Sequence, residues 1–258
     1  MTSQPDLSAT RVEWLASIDS TNDEAMRRAR EGVREPLWIA AQEQTKGRGR
    51  QGRVWQSPPG NLAASLLLID PAPMALAPQL GFVTGVALAD AAGDLLPTLV
   101  RAKLKWPNDL VVAGAKLSGL LLEATQLADG HTACVIGIGL NIESHPPDLP
   151  YAATSLREVG SEARAELALE RIRAHMSVWL ARWQRGENFA VIREAWMAHA
   201  AALDQRVDVQ TSGGMRTGIF RGLDATGQMI LETEAGRTLI AAGDVFLSAQ
   251  NPTGQEIR

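Results

Sequence analysis

The sequence predicts an α+β protein, with a sheet-and-helix body over residues 1–204 and a small β-barrel or sandwich over 205–258. Three observations carry that prediction. Nearly continuous apolar runs of strand length recur through the first half of the chain, and two helical patterns follow them. From Gln205 the texture changes to short strands separated by glycine-bearing turns. A content of 45% hydrophobic and 21% charged residues is ordinary for a globular chain and too apolar for a disordered one.

In chain order, RVEWLASI (11–18) reads as a short strand. In DSTNDEAMRRARE, Thr21 is placed to cap a helix, with Glu24 three residues on completing a capping box. Met26 and Ala29 share one face of that helix, Arg27, Arg28, Arg30 and Glu31 face solvent, and Gly32 ends it. LWIAAQEQ (37–44) is strand-like and delivers the chain into GRGRQGR (47–53). SPPGN (57–61) is a loop, LAASLLLI (62–69) a buried strand, and the alanine-rich stretch from Leu76 to Leu96 one long buried helix.

RAKLKW (101–106) alternates as a strand until Pro107 interrupts it, and DLVVAGAKLSGLLLEAT reads as a hairpin turning at Ala113–Gly114. TACVIGIGLNI (132–142) is a second buried strand, and glycines inside a strand mark close approach of a ligand or another backbone. HPPDLPYAATS (145–155) is irregular. Leu169, Ile172, Met176, Trp179 and Trp183 then recur at helical spacing, as do Phe189, Ile192, Trp196 and Leu203. These tryptophans read as core. RVDVQT, GIFRGL, GQMILETE, RTLIAA and DVFLS are the strands of the C-terminal module, whose boundary falls near 203–206.

Several function classes are excluded early. MTSQPDLSAT has no basic region followed by an apolar run, so no signal peptide is expected, and no apolar stretch is long enough for a membrane helix. A cytoplasmic protein with no membrane partner is the default. Cys134, the single cysteine, sits in an apolar run and reads as a small buried hydrophobe. His131, His145, His175 and His199 are scattered without metal-ligand spacing. A net charge of −4 argues against a nucleic-acid coat but leaves room for a local cationic pocket. Against 21 arginines stand only Lys46, Lys103, Lys105 and Lys116, which is either chance or a reservation of lysine for places that need a compact ammonium.

GRGRQGR is where a cationic pocket would form. It formally matches GxGxxG through Gly47, Gly49 and Gly52, but that fingerprint must open a helix, and Pro58, Pro59 and Gly60 follow instead. No GxxxxGK[ST] occurs. A basic nucleic-acid segment is usually terminal, longer and repeated, whereas this one is short and flanked by strands. A solvated turn asks too little of three arginines beside Trp55. The remaining reading is a loop that closes over a bound anion, its N–H groups and guanidinium forks holding phosphate and carboxylate oxygens.

Three weaker signals follow. In KWPND (105–109), Pro107 ends a strand and presents Asn108 and Asp109, which is equally good turn chemistry. In KLSGLLLE (116–123), Lys116 heads an otherwise apolar strand, and Gly119 leaves room for something close. In GIGLN (137–141), Asn141 ends a glycine-perforated strand.

Together, and in this order after DSTN (19–22), these motifs resemble the biotin protein ligase family over roughly residues 14–142, with the C-terminal strands as weaker support. GRGRxGR and KWPND are specific as a pair; lipoate ligases, the nearest relatives in fold, lack both. The resemblance implies a mixed central sheet with helices, of the class II aminoacyl-tRNA synthetase/biotin synthetase type, and an SH3-like C-terminal barrel. Bifunctional members carry a helix-turn-helix domain ahead of the catalytic core; here the core begins almost at once, so a ligase without repressor function or DNA partner is expected.

The implied reaction joins biotin to ATP as biotinyl-5′-AMP and then to a lysine of the biotin carboxyl carrier protein of acetyl-CoA carboxylase, with Mg²⁺ on the phosphates. Two anions must meet in the first step, and Arg48, Arg50, Arg53 and Lys116 are the cations available to draw them together. Residues matching Arg48, Gly49, Arg50 and Lys116 bind biotin and its adenylate in the family, while Ser20, Thr21, Asn22 and Gln44 match residues at the ureido ring. Gly47, Trp55 and Gly119 complete the implied biotin site, with Trp55 as apolar cover. Lys105, Asn108 and Asn141 join Arg50, Arg53 and Lys116 on the nucleotide side. Lys116, Arg50 and Asp109 are the implied catalytic set, with Asp109 either in the Mg²⁺ shell or taking a proton from the acceptor lysine. The loop at 47–53 is expected to be ordered by ligand, and the oligomeric state stays open between monomer and homodimer. The alternatives are a lipoate-type ligase for another carboxylic acid and a nucleic-acid-binding module.

Overall fold

In the computed structural model, which describes residues 7 and 10–247, the apolar runs of the first half of the chain pair into one seven-stranded mixed sheet. Its strands are β1 (Val12–Leu15), β2 (Leu37–Ala41), β3 (Leu62–Ile69), β4 (Ala102–Lys105), β5 (Asp109–Val112), β6 (Ala115–Gln126) and β7 (Thr132–Leu140), in the order β1-β2-β3-β7-β6-β5-β4. β1 runs parallel to β2, and every other pairing is antiparallel. The strand expected to continue through Ile142 leaves the sheet after Leu140.

The two-residue period of β3 and β7 divides the sheet into a packed face and a working face. Leu62, Ala64, Leu66 and Leu68, with Cys134, Ile136, Ile138 and Leu140, join the main core. α2 (Gln79–Leu95) and α3 (Ala165–Trp183) cover that side, and α4 (Phe189–Ala198) packs on both helices. On the other face, Leu67, Ala133 and Val135 pack with Ala25 and Ala29 of α1 (Thr21–Arg30) in a second, smaller core. Farther along that face the large side chains stop. Ser65 pairs with Gly137, and Gly119 pairs with Gly139, leaving a hollow in mid-sheet.

Local details depart from expectation at four points. Ser20, not Thr21, is the helix cap: its hydroxyl accepts from Asp23 N–H, while Thr21 is the first helical residue. The long helix begins at Gln79 behind a separate 3₁₀ turn at Met74–Leu76. α4 ends at Ala198, so Leu203 lies outside it; Ala200 bridges to Leu104 instead and covers the β4 edge. The arginines of α1 are not simply solvated, because Arg27 and Arg28 both pair with Glu24.

The five strands of the C-terminal region are all present: β8 (Arg206–Thr211), β9 (Gly214–Leu223), β10 (Met229–Thr233), β11 (Gly236–Ile240) and β12 (Asp244–Leu247). They form one antiparallel sheet in the order β11-β10-β9-β8-β12. The stretch from Ser248, including Pro252, lies outside the described residues. This sheet shares the main core with the first one. Trp196, buried, meets Phe82 and Phe220 edge-on at 6.0 and 6.4 Å between centroids, and the Trp106 indole N–H donates to Gly227 O at 3.2 Å. Among the described residues no helix is long and apolar enough to cross a membrane.

Candidate active site

The hollow on the working face is a cavity of about 340 Å³. Its floor is made by the glycine positions of the central strands. The Trp55 indole occupies the space that a Cβ on Gly139 would need, and the Asn22 amide occupies the space beside Gly137. Glycine is required at both places because another part of the chain has already taken the side-chain volume.

At one end of the cavity the start of α1 presents Ser20, Thr21 and Asn22, all nearly buried. Gln44 Oε1 accepts from Thr21 N–H at 2.9 Å. Ser65 Oγ lies 2.7 Å from Thr21 Oγ1 and 2.6 Å from Asn22 Oδ1. The Asn22 amide donates to Glu123 Oε2 at 2.7 Å and to Leu121 O at 3.3 Å. The side chains presented here, Ser20, Thr21, Asn22 and Gln44, are polar and neutral, which suits a neutral ring with paired donors and acceptors.

The other end is cationic. Lys116, near the start of β6, reaches Asp109 Oδ1 at 2.8 Å and stands over the rings of Trp55 and Tyr151, 5.6 and 5.3 Å from their centroids. Lys105 approaches Asp109 Oδ2 at 3.3 Å, so the β4–β5 hairpin gathers two ammoniums on one carboxylate. Asn108 is held by its amide donating to Leu120 O at 2.7 Å, and its own Oδ1 accepts from Arg50 at 2.9 Å. Burial, with Asp109 close by, pushes the Tyr151 phenol up, so it stays a neutral O–H.

The arginine loop forms the third wall. It folds as a short 3₁₀ turn at Arg50–Gly52, closed by the Arg48–Val54 bridge, with Gly47 O accepting from Trp55 N–H at 2.9 Å. Gly49 lines the cavity, while Gly47 lies behind it against Trp55. Arg50 also donates to Gly243 O at 3.4 Å, and Arg53 pairs with Asp244 at the start of β12. The C-terminal sheet therefore holds the loop. Arg48 is different: it lines the cavity, but its guanidinium is anchored on Asp23 and Glu123, which border a separate groove between α1 and β6.

Of the residues singled out in the sequence, Ser20, Thr21, Asn22, Gln44, Arg48, Gly49, Arg50, Arg53, Trp55, Lys105, Asn108, Asp109, Lys116 and Gly119 line this one cavity. Asn141 does not. It is buried next door, donates to Thr154 O at 3.0 Å, and borders a small hollow with Lys116 and Tyr151. Sequence reasoning missed Tyr151 and Asp244, which line the cavity, and Ser65 and Glu123, which brace its polar end through Asn22. Ser65 carried one signal, being the only hydroxyl in an apolar strand. Cys134 is fully buried on the opposite face, and burial pushes its thiol up to about 11, so it takes no part.

Five cationic side chains line the cavity against two carboxylates, in a chain whose net charge is −4. The field is concentrated where it can draw in a polyphosphate and a carboxylate together. No group of three or more His, Cys, Asp or Glu side chains that could cage a metal occurs among the described residues. The cavity's carboxylates could serve only a cation that brings its other ligands with it, which is how Mg²⁺ commonly arrives with phosphates.

The chain is similar to known proteins along most of its length. Residues 14–141 match the model of the biotin/lipoate A/B protein ligase family, and residues 202–248 that of the biotin protein ligase C-terminal domain. The chain is 38% identical over 237 residues to the biotin–[acetyl-CoA-carboxylase] ligase of Paracoccus denitrificans, covering 90% of this chain and 98% of that protein. It is 30% identical over 240 residues to the bifunctional ligase/repressor BirA of Bacillus subtilis, covering 89% of this chain and 72% of that one. Among solved structures, the biotin protein ligase of Aquifex aeolicus in complex with biotin and ATP superposes with a TM-score of 0.78 at 29% identity, covering 92% and 97% of the two chains.

Proposed function

The chain belongs to the biotin/lipoate A/B protein ligase family, and from that premise we propose that its cavity activates biotin with ATP and passes it to a carrier-protein lysine. On this reading the chain acts as a biotin–[acetyl-CoA-carboxylase] ligase, the activity its Paracoccus relative is named for, with the biotin carboxyl carrier protein of that carboxylase as acceptor. The observation that carries the reading is the division of one cavity into a neutral polar end at Ser20–Asn22 and a cationic end at Arg50, Lys105 and Lys116. Biotin and ATP are the substrates that such a division fits. We take the C-terminal module to begin at residue 205.

The first step needs no general base, because a carboxylate with a reference pKa of ~4 is already ionised at neutral pH. Its barrier lies in bringing that carboxylate to the α-phosphate. Lys116 stands where the two would meet, fixed on one side by Asp109 and flanked by Trp55 and Tyr151. Arg50, tied to Asn108, adds a second fixed cation. Preorganised charges of this kind are worth about 3–4 kcal/mol each in a shielded site. Trp55, expected from the sequence as a cover, lies on the floor instead, where its indole would back the bound acid from the sheet side and help keep water from the acyl-adenylate. Mg²⁺, when bound with the nucleotide, would neutralise phosphate charge, and Asp109 is the protein oxygen placed to share in holding it.

In the second step the acceptor amine must lose a proton, since a free lysine has a pKa of ~10.4. Asp109 is the carboxylate nearest the reacting end and is placed to take that proton once Lys116 has moved onto the adenylate. Incubating the purified protein with biotin, ATP and Mg²⁺ should label the acceptor lysine of a carboxyl carrier protein. Absence of labelling, or labelling with lipoate in competition equal to that with biotin, would contradict the reading.

A further inference from the structure

We propose that Glu123, which does not line the cavity, is a positioning residue that sets the hydrogen-bonding polarity of its neutral end. The inference rests on the biotin reading and deepens it. A carboxylate has no hydrogen to donate, so the 2.7 Å contact between Glu123 Oε2 and the Asn22 amide must be filled by an Asn22 N–H. Leu121 O takes the second N–H of the same amide. Asn22 Oδ1 therefore faces Ser65 as an acceptor, and the single Ser65 proton goes to it across 2.6 Å. The Thr21 proton then has two acceptors, Gln44 Oε1 at 3.1 Å and Ser65 Oγ at 2.7 Å, and either one turns it away from the cavity.

The chain of donors runs in one direction, from Ser65 to Asn22 to Glu123, with the Thr21 proton spent on Gln44 or Ser65. Its consequence is that Thr21 Oγ1 and Asn22 Oδ1 offer only lone pairs to the cavity. Such a surface selects a ring that presents N–H groups. Both Glu123 oxygens are also held by Arg48, at 3.0 and 3.1 Å, so the start of the chain is anchored to the arginine loop. The packing leaves no slack for a flipped amide to relax by shifting, because the Asn22 side chain fills the place of a Gly137 Cβ.

The test is a ligand-by-mutant cycle read by calorimetry. Biotin is compared with an analogue in which one ureido N–H is replaced by CH₂, on the wild type, Glu123→Gln, Glu123→Asp and Ser65→Ala, with KM for ATP measured alongside. The wild type should prefer biotin by at least about tenfold, the effect of one buried hydrogen bond left unpaired. Glu123→Gln, whose amide can turn a donor toward Asn22, should lose most of that preference with KM for ATP unchanged. Glu123→Asp should recover part of it. Ser65→Ala, which cuts the relay without touching Glu123, should lose it as well, and it serves if a Glu123 variant fails to fold. A preference kept within about twofold in folded Glu123→Gln or Ser65→Ala overturns the inference. Failure of the wild type to bind biotin at all would instead overturn the functional reading beneath it.

Discussion

The indole of Trp55 fills the space that a side chain on Gly139 would need, so the glycine in mid-strand and the tryptophan after the arginine loop form one element of the site. Gly119, the sheet partner of Gly139, sits under the same ring, 3.2 Å from Trp55 Cζ3 to where its Cβ would be. Gly139→Ala forces the indole off the floor and toward Lys116. Overpacking of this kind typically costs ~1–3 kcal/mol. Biotin affinity should fall by roughly tenfold or more, with a shift in tryptophan emission; titration of biotin against intrinsic fluorescence checks it.

Asp244 lies about 190 residues from the arginine loop and holds it through Arg53. The pair is substantially exposed on the arginine side, so its contribution to stability should stay under ~1 kcal/mol. Asp244→Ala is therefore expected to leave the unfolding midpoint nearly unchanged while raising KM for ATP several-fold, because Arg50 and Arg53 lose a fixed anchor. Steady-state kinetics with ATP varied at saturating biotin reads this directly.

Trp196 joins α2, α4 and the C-terminal sheet through its contacts with Phe82 and Phe220. Truncating a fully buried tryptophan typically costs ~3–5 kcal/mol. Trp196→Ala should lower stability by that order and loosen the C-terminal sheet, which urea denaturation and limited proteolysis after residue 200 would report.

Asp19 opens the DSTN segment, and its carboxylate accepts from Arg27 and from Ser20 N–H. The Arg27 hydrogen bonds lead, with the Ser20 amide next, in holding its carboxyl down at about 2 rather than the ordinary 3.8. A folded-state pKa below the unfolded one gives stability that is present above about pH 4 and lost as pH falls through about 2. Asp19→Asn should therefore be less stable than wild type at pH 6, and the gap should close between pH 4 and pH 2 in acid-unfolding titrations.

Much of the site was legible because its chemistry is concentrated in short runs. GRGRQGR, KWPND and Lys116 come together in one cavity as their residue types require. The strands were legible for the same reason: LAASLLLI coincides with β3. What sequence could not show depends on sheet register. Ser65 and Glu123 join Asn22 only because β3 and β6 flank β7 on one face, a pairing between segments more than 40 residues apart. Asp244 required knowing how the second sheet docks. The helix cap was misplaced by one residue because Ser20 and Thr21 are both capping types, and only Gln44, which engages Thr21, separates them.

The most direct test of the central claim is biotin-dependent ATP–pyrophosphate exchange by the purified protein. Exchange should appear only with biotin present and fall by roughly 10²–10³ in Lys116→Ala and in Arg50→Ala, each removing one preorganised cation from the reacting end. Wild-type protein without biotin-dependent exchange, or both variants exchanging at the wild-type rate, would contradict the account.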